Sequence, residues 1–456
     1  MSLERSDPAT PAAGVRIRGV AAADAARLIL GLTLVMGLTL RLAPILITDF
    51  PLRDGGLFVT MARDLQANGF VPPLFSSFNA GDVPFAYPPL GILALAAVPG
   101  DPIETARWLP LAWSMAAVVA AWLLARELTD ELTGAVAGFL FAVMPVTWAI
   151  EGGGVARAPG LALLLLALWR VAILLRHQSF YNAALAGLPA GLALLSHPQV
   201  GPTGLASALV LLAFRPSWRG AWWLVVGGAV ALLAAGPWLV SVVYHYGWQP
   251  LLTATGAHDT APALARLLLF GPTWLGAFDF VVPFAVLGTA LALHRRVWLV
   301  PAWLVVLLIV PGGEGRYAAV AWAMLAAIGL IPVFEAIRAA GAQRVAIGLG
   351  LAFVFAVALV AGYRRFGALP VATRQAIVAA GQQSPPGTRF AVISADPSDS
   401  QPLLDWFPTL SGRISVGTYQ GLEFTTPERW QGAVDADSAI EDGRIPSDAD
   451  VVFTEP

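Results

Sequence analysis

Residues 28–47 read LILGLTLVMGLTLRLAPILI and residues 48–58 read TDFPLRDGGLF: an apolar run broken by Arg41, with two carboxylates, Asp49 and Asp54, immediately beyond it. A run of about 20 apolar residues is what a helix needs to cross the roughly 30 Å hydrocarbon core of a bilayer. It has no small-residue cleavage site, so the sequence predicts a retained first span. Outward from it the pattern repeats, with apolar runs near 108–125, 132–148, 159–175, 182–196, 199–214, 221–241, 280–294, 297–311, 317–334 and 345–362. That makes about eleven spans, several near the short limit for a membrane helix. Of the 456 residues 57% are hydrophobic and 12% charged, whereas a soluble domain carries about 25% charged residues. A wholly soluble chain is excluded. The predicted fold class is a polytopic α-helical membrane protein of about eleven transmembrane helices with a small extracytoplasmic α/β domain at its C-terminus.

The net charge is only -2, and the 27 basic residues, all arginine, are scattered through the loops, which gives no basic patch for nucleic acid. Cysteine is absent, which removes disulfides, thiolate catalysis and zinc-thiolate sites, and the five histidines are too dispersed for a metal cluster. The arginines nevertheless carry information by position. Arg16, Arg18 and Arg27, then Arg126, Arg176, Arg215 with Arg219, Arg295 with Arg296, and Arg338 with Arg344 fall in alternate loops. The positive-inside rule puts those loops and the N-terminus in the cytoplasm. The outer face of the plasma membrane then receives residues 48–107, the Glu151–Gly154 loop, the Ser196–Gln199 loop, residues 243–279, residues 311–316 and everything after Gly362.

This parity requires that the dozen apolar residues from Pro88 to Val98 do not cross, and they are predicted to form a re-entrant or interfacial hairpin. Leu264–Phe270 reads as interfacial. Residues 1–27 are predicted to be a disordered cytoplasmic tail, 28–362 the membrane domain, and 363–456 a small soluble α/β domain with strands such as Phe390–Ser394 and Val451–Thr454. Its end on a strand-like segment with no polar tail is the pattern of a truncated chain.

The first outer loop holds the main chemical candidates. Asp54 precedes Gly55 and Gly56 and a helix bearing Leu57, Phe58, Met61 and Leu65 on one face, which is expected to lie along the membrane surface. At such a position Asp54 reads either as a helix cap or as a functional carboxylate. Asp49 reads as an acceptor or cation ligand, or as a solvated carboxylate. On the same face stand Arg53, Arg157 after the Gly152–Gly154 turn, and Arg316 with Tyr317; snorkelling to the headgroups is the ordinary fate of such arginines. Glu151 and His197 also sit at outer helix ends, Glu151 as a sugar contact and His197 as a structural or substrate-binding imidazole. Arg41, inside the first span, is expected either to snorkel outward or to line the site. The aromatics Tyr244, Tyr246 and Trp248, with His245 and His258, read as interfacial anchors or as sugar-stacking residues, and the Asp405–Pro408 and Thr418–Gly421 clusters as packing residues of the C-terminal domain or as carbohydrate or acceptor contacts.

Asp54, the 57–68 helix and Tyr87-Pro88-Pro89-Leu90 occur in the order that resembles the GT-C superfamily of membrane glycosyltransferases, in particular protein O-mannosyltransferases and the aminoarabinose transferases of lipid A. The resemblance covers roughly residues 28–335. Two positions depart from the family pattern: Gly55 stands where Glu commonly follows the Asp, and Tyr87 where a basic residue or His often precedes the prolines. The resemblance implies inverting transfer of a sugar from a polyprenyl-phosphate donor to a hydroxyl acceptor at the outer face. Asp54 would be the base, Asp49 an assisting group, and Arg53, Tyr87, Glu151, Arg157, His197, Arg316 and Tyr317 substrate-binding residues. A divalent cation, Mg or Mn, held by Asp49 and Asp54 is compatible with two carboxylates but not demanded by them. Two other classes share such a bundle, a flippase or transporter of lipid-linked sugars and a non-catalytic membrane scaffold. A transporter places polar groups near the bilayer midplane between repeats, whereas here acidic residues gather in the outer loops and no internal repeat is visible.

Overall fold

The structure, a computed structural model, describes residues 20–256, 281–310, 315–365, 367–395 and 400–456. Helix α1 (Val20–Ile47) leads into a loop region that holds α2 (Gly56–Ala67), the antiparallel pair β1 (Phe75–Ser76) and β2 (Val83–Pro84), and α3 (Leu90–Ala97). The bundle continues through α4 (Pro102–Leu128), α5 (Glu131–Val143), α6 (Gly154–Arg176), α7 (Phe180–Leu194), α8 (Val200–Ala213), α9 (Trp218–Tyr246) and α10 (Gln249–Gly256). Then follow α11 (Val281–His294), α12 (Leu299–Ile309), α13 (Gly315–Ala339) and α14 (Gln343–Arg365). A helix therefore stands over each predicted apolar run. Six of them, α1, α4, α6, α9, α13 and α14, are long and apolar enough to cross a membrane, and α5, α7, α8, α11 and α12 are shorter apolar helices. The first begins at Val20, so residues 20–27 are helical rather than part of a tail. Leu264–Phe270 and His258 lie outside the described residues.

Polar residues in the short connections start the helices. The Asp130 carboxylate accepts from the Leu132 and Thr133 amides, Ser179 from Asn182, and Ser217 from Gly220, each satisfying amides that the helix leaves unpaired. Small residues let helices touch backbone to backbone: a Cβ at Gly288 on α11 would come within 1.8 Å of the Leu325 carbonyl oxygen on α13. Arg41 neither snorkels nor lines the site. It is fully buried, its Nε donates to Ser114 Oγ at 2.7 Å, and its guanidinium nitrogens donate to the carbonyls of Gly37 and Ala142 and to Thr147 Oγ1. A charge inside a bundle is tolerable only with such a full set of acceptors, and here it staples α1 to α4 and to the turn after α5.

The Pro88–Val98 run forms α3, whose 8 residues extend about 12 Å at 1.5 Å per residue, far short of a bilayer. Its Leu90 amide donates to the Leu195 carbonyl at 2.7 Å, and Gly91 lies against the backbone of Val155. The start of α3 is thus anchored at one end of the bundle, and near its other end the Ala96 carbonyl accepts from Gln66 Nε2 of α2. Helix α2 departs from expectation, because the face with Leu57, Phe58, Met61 and Leu65 is buried in protein rather than laid on the membrane. It is covered by the C-terminal region.

That region contains α15 (Val371–Gln383), β3 (Arg389–Ile393), α16 (Ser400–Ser411), β4 (Ile414–Ser415), α17 (Pro427–Glu441) and β5 (Val451–Thr454). Its strands form a parallel sheet in the order β4-β3-β5, the arrangement expected when helices connect successive strands. Phe407 of α16 packs between Phe390 and Phe453 of the sheet, tilted against the first ring and edge-on to the second. One apolar cluster then runs from these residues through Leu57, Phe58 and Met61 of α2 to Ile92 and Leu95 of α3.

Candidate active site

The segment after α1 is held on two sides. Leu52 forms an antiparallel bridge with Ala368, the Arg53 amide donates to the Gly367 carbonyl at 2.9 Å, and the Gly152 amide donates to the Leu52 carbonyl at 2.7 Å. The backbone then turns sharply, with Arg53 at φ 48 and Gly55 at φ 142. No residue with a side chain adopts the latter without strain, and a Cβ there would also lie 2.9 Å from the Gly152 backbone and 3.1 Å from Trp406. The turn directs Asp54 away from α2 and towards the start of α6. The helix α2 has Gly55 at its cap with no side-chain hydrogen bond, so Asp54 is not a helix cap.

Asp54 is 7% exposed, and both its carboxylate oxygens accept from Arg157 Nη2 at 2.8 Å, with the Gly153 amide donating to Oδ1 at 3.3 Å. Arg157 Nε also meets Glu151 at 2.9 Å, and Glu151 is 3.9 Å from Arg316 at the start of α13. Acid and base alternate in this network, Asp54–Arg157–Glu151–Arg316, so its formal charge sums to zero. The Gly152 and Gly153 amides are engaged by the first loop and the Gly154 amide by the Glu151 carbonyl, so none of the three is open to an incoming anion. Next to this network the Tyr317 hydroxyl lies 3.3 Å from His197 Nδ1. Residues from four separate connections therefore meet at one end of the bundle.

The other sequence candidates fall as follows. Tyr87 packs edge-on to Phe58 at 4.8 Å and against Phe424 at 5.1 Å. Burial, then the Glu423 carboxylate, push its phenol up, which keeps the hydroxyl a neutral donor. Arg53 Nη2 donates to Gln401 Oε1 at 3.3 Å. Asp49 is not brought to the network: its side chain is 68% exposed and it accepts from Arg374 Nη2 at 2.6 Å, which holds it below the usual carboxylate range.

The C-terminal region supplies residues of the two clusters that the sequence offers as packing residues or as carbohydrate or acceptor contacts. Trp406 Nε1 donates to the Arg53 carbonyl at 2.7 Å and its ring meets Phe50 at 4.6 Å. The Leu57 amide donates to Gln420 Oε1 at 3.2 Å. A Cβ at Gly56 would lie 2.0 Å from the Asp405 carbonyl, so the Gly55-Gly56 pair is what admits α16 to the loop. The Asp405 side chain is buried beside Asp54, and burial, then the Asp54 charge, push its carboxyl well above the usual range. The signal for these contacts was the Asp405–Pro408 cluster itself. Beside the turn Leu422–Phe424, an open groove of about 840 Å³ lies between α10 and α17, lined by residues such as Gln249, Thr253, Glu428 and Trp430.

A divalent cation requires several convergent oxygen ligands. Asp54 already gives both oxygens to Arg157, and Asp49 turns to Arg374. Among the described residues no group of three or more His, Cys, Asp or Glu side chains is placed to hold a metal. The Asp49–Asp54 pair does not fit such an ion.

Comparison with known proteins bears on fold and family. Residues 87–240, which include Tyr87, Glu151, Arg157 and His197, match the family model described as dolichyl-phosphate-mannose-protein mannosyltransferase. No curated protein matches the chain in sequence. The oligosaccharyltransferase of Archaeoglobus fulgidus, solved with Zn and sulfate, is 16% identical with a TM-score of 0.55 over 85% of this chain and 62% of that one. The same enzyme tethered with an acceptor peptide containing the NVT sequon gives 16% and 0.54, over 89% and 64%. ArnT of Cupriavidus metallidurans bound to undecaprenyl phosphate gives 16% and 0.54, over 87% and 88%. The chain thus spans just under two thirds of the archaeal enzyme and most of ArnT. The likeness to these enzymes is one of fold across the chain, and the match to the mannosyltransferase family model covers residues 87–240.

Proposed function

We propose that the chain transfers a sugar from a polyprenyl-phosphate donor to a hydroxyl acceptor, with inversion at the anomeric carbon, and that Asp54 is the base. The carrying observation is the buried network in which Asp54 and Glu151 share Arg157. In this reading the donor phosphate docks on Arg157 and Arg316, which stabilise the charge that builds on it as it leaves. Each guanidinium hydrogen bond that passes from Asp54 to the phosphate frees a carboxylate lone pair. Asp54 then takes the acceptor proton while the acceptor oxygen attacks the anomeric carbon and the carbon–phosphate oxygen bond breaks. Glu151 holds Arg157 and Arg316 in register, the His197–Tyr317 pair and Tyr87 border the donor, and the groove between α10 and α17 offers the acceptor an approach. Undecaprenyl phosphate bound to ArnT supports this class of donor, and the acceptor peptide tethered to the archaeal enzyme supports an acceptor site in proteins of this fold.

The proposed topology has all eleven apolar helices crossing and α3 not crossing, with the N-terminus cytoplasmic and the site on the outer face. Its support is parity. The connections after α1, α5, α7, α12 and α14 follow odd-numbered crossings, and their residues are the ones that meet. A flippase finds no such support, because Arg41, the charge buried within α1, is locked in a full set of hydrogen bonds. The test is Asp54→Asn in membranes supplied with a radiolabelled polyprenyl-phosphate sugar. Transfer should fall about 10²–10⁴-fold, the usual contribution of a general base; an unchanged rate removes Asp54 from this role.

A further inference from the structure

At the end of the bundle opposite the acid network, the ends of α4, α6 and α8 and the turn between α11 and α12 enclose a groove of about 310 Å³. Leu128, Leu175, Leu211 and Phe214 wall it, and Arg215 and Arg296 stand at its mouth. Trp298, which also lines it, is 54% exposed, and Trp218, three residues beyond Arg215, is 85% exposed. Exposed tryptophans at helix ends mark headgroup depth in a bilayer. Among the described residues neither Arg215 nor Arg296 spends its guanidinium on a hydrogen bond or an ion pair. Arg176, paired with Glu127, lies close by, and burial, then the Arg176 charge, hold Arg215 below the usual arginine range against the opposing pull of the Glu127 carboxylate.

The backbone at Arg296 is an independent observation. Helix α11 ends in a Schellman motif, with the Val297 amide donating to the Ala292 carbonyl at 2.8 Å and the Arg296 amide to the Leu293 carbonyl at 3.0 Å. This puts Arg296 at φ 59, in the left-handed position where helices ordinarily use glycine. A cation is thus retained at the groove mouth against a backbone preference.

We infer that this groove binds an anionic phospholipid, with one acyl chain between the apolar walls and its phosphate on Arg215 and Arg296. Basic pockets between membrane helices at headgroup depth recognise such lipids, and apolar walls add chain burial to the charge attraction. A second copy of the chain is a poor occupant, since a two-fold contact here would set these arginines against one another. This site is separate from the transfer chemistry and does not depend on it.

The experiment uses the purified full chain in nanodiscs of phosphatidylcholine alone or mixed with phosphatidylglycerol, with lipid retention after detergent extraction read by native mass spectrometry. Phosphatidylglycerol should be retained in preference to phosphatidylcholine. Each arginine removed should weaken that preference about five-fold, so Arg215→Gln with Arg296→Gln should weaken it about 30-fold. Arg296→Gly separates binding from folding: it relieves the left-handed backbone, so thermal stability in phosphatidylcholine should hold or rise while the preference still falls about five-fold. Equal retention of the two lipids by the unmodified chain overturns the assignment. So does a preference that survives in the double variant, or a change of oligomeric state in that variant with lipid retention intact.

Discussion

Arg157→Gln tests the network most directly, because it removes the guanidinium that touches both carboxylates. The side chains of Asp54 and Glu151 are 10% and 9% exposed, and that of Arg157 is 21% exposed. Stripping one partner from a buried pair costs about 3–5 kcal/mol, chiefly because the remaining charge stays buried. Here Asp54 keeps the Gly153 amide and Glu151 keeps Arg316 at 3.9 Å, and the arginine is partly hydrated. These contacts bring the expected loss to about 2–3 kcal/mol. Asp54→Asn should cost less, since Arg157 retains Glu151. In the double variant the uncompensated Asp54 charge is gone, so its loss should undershoot the sum of the two single losses by about 1–3 kcal/mol. Arg157→Lys should rescue only part, because a single ammonium cannot reproduce the fork that serves two carboxylates. Thermal unfolding of the four proteins in one detergent reads the order: Arg157→Gln lowest, the double variant closer to Asp54→Asn. Strict additivity would show that the two side chains do not stabilise one another, and the reasoning would fall.

A buried carboxyl pushed up in the folded state favours folding at acid pH and loses that contribution as pH rises through its folded value, so Asp405→Asn should melt higher than the parent at pH 8. The gap should close near pH 4, where the ordinary carboxylate range of about 3.9 is reached, and a lower melting point at pH 8 would mean that Asp405 is a paired anion. Gly55→Glu, which installs the residue common in the resembling family, should destabilise by about 2–4 kcal/mol and abolish transfer, since φ 142 and the Gly152 and Trp406 contacts both forbid a side chain; a stable, active variant would show that the loop and α16 can separate. Because Arg157 occupies the Asp54 oxygens, EDTA should leave sugar transfer unchanged at fixed ionic strength, and a chelator-sensitive rate restored by Mg or Mn would put a cation where the arginine now stands.

The bundle was legible because its signals are additive along the chain. Each apolar run had to satisfy its own backbone in lipid, and only a helix does so. Alternating arginine loops then fixed which ends belong together, and that parity anticipated the meeting of Asp54, Glu151, Arg157, His197 and Arg316. The connection with α3 was legible by length alone. What hydropathy missed was what covers an amphipathic face. The apolar stripe of α2 could be met by lipid or by protein, and nothing within residues 56–67 distinguishes the two. Arg41 was misread for a related reason: its acceptors, Ser114, Ala142 and Thr147, lie far along the chain, and their approach is a property of packing.

The two departures from the family pattern turned out to explain one another. Gly55 and Gly56 leave no side chain between the first loop and α16, and into that space come Trp406, which closes on the Arg53 carbonyl and Phe50, and the backbone of Asp405. Tyr87 in turn rests edge-on against Phe58 of α2 and on Phe424 of the same C-terminal region, contacts that an aromatic ring makes and a basic side chain does not. Positions that look like lost functional residues in the first loop are therefore contact positions for the C-terminal region. A domain of under about 100 residues has a small core of its own, and here its aromatics extend that core into the loop that carries Asp54. The wall of the acid network and the fold of the C-terminal region are then one packing problem. Substitutions at Trp406 should accordingly be felt at Asp54, although the two residues are separated by the whole membrane bundle in sequence.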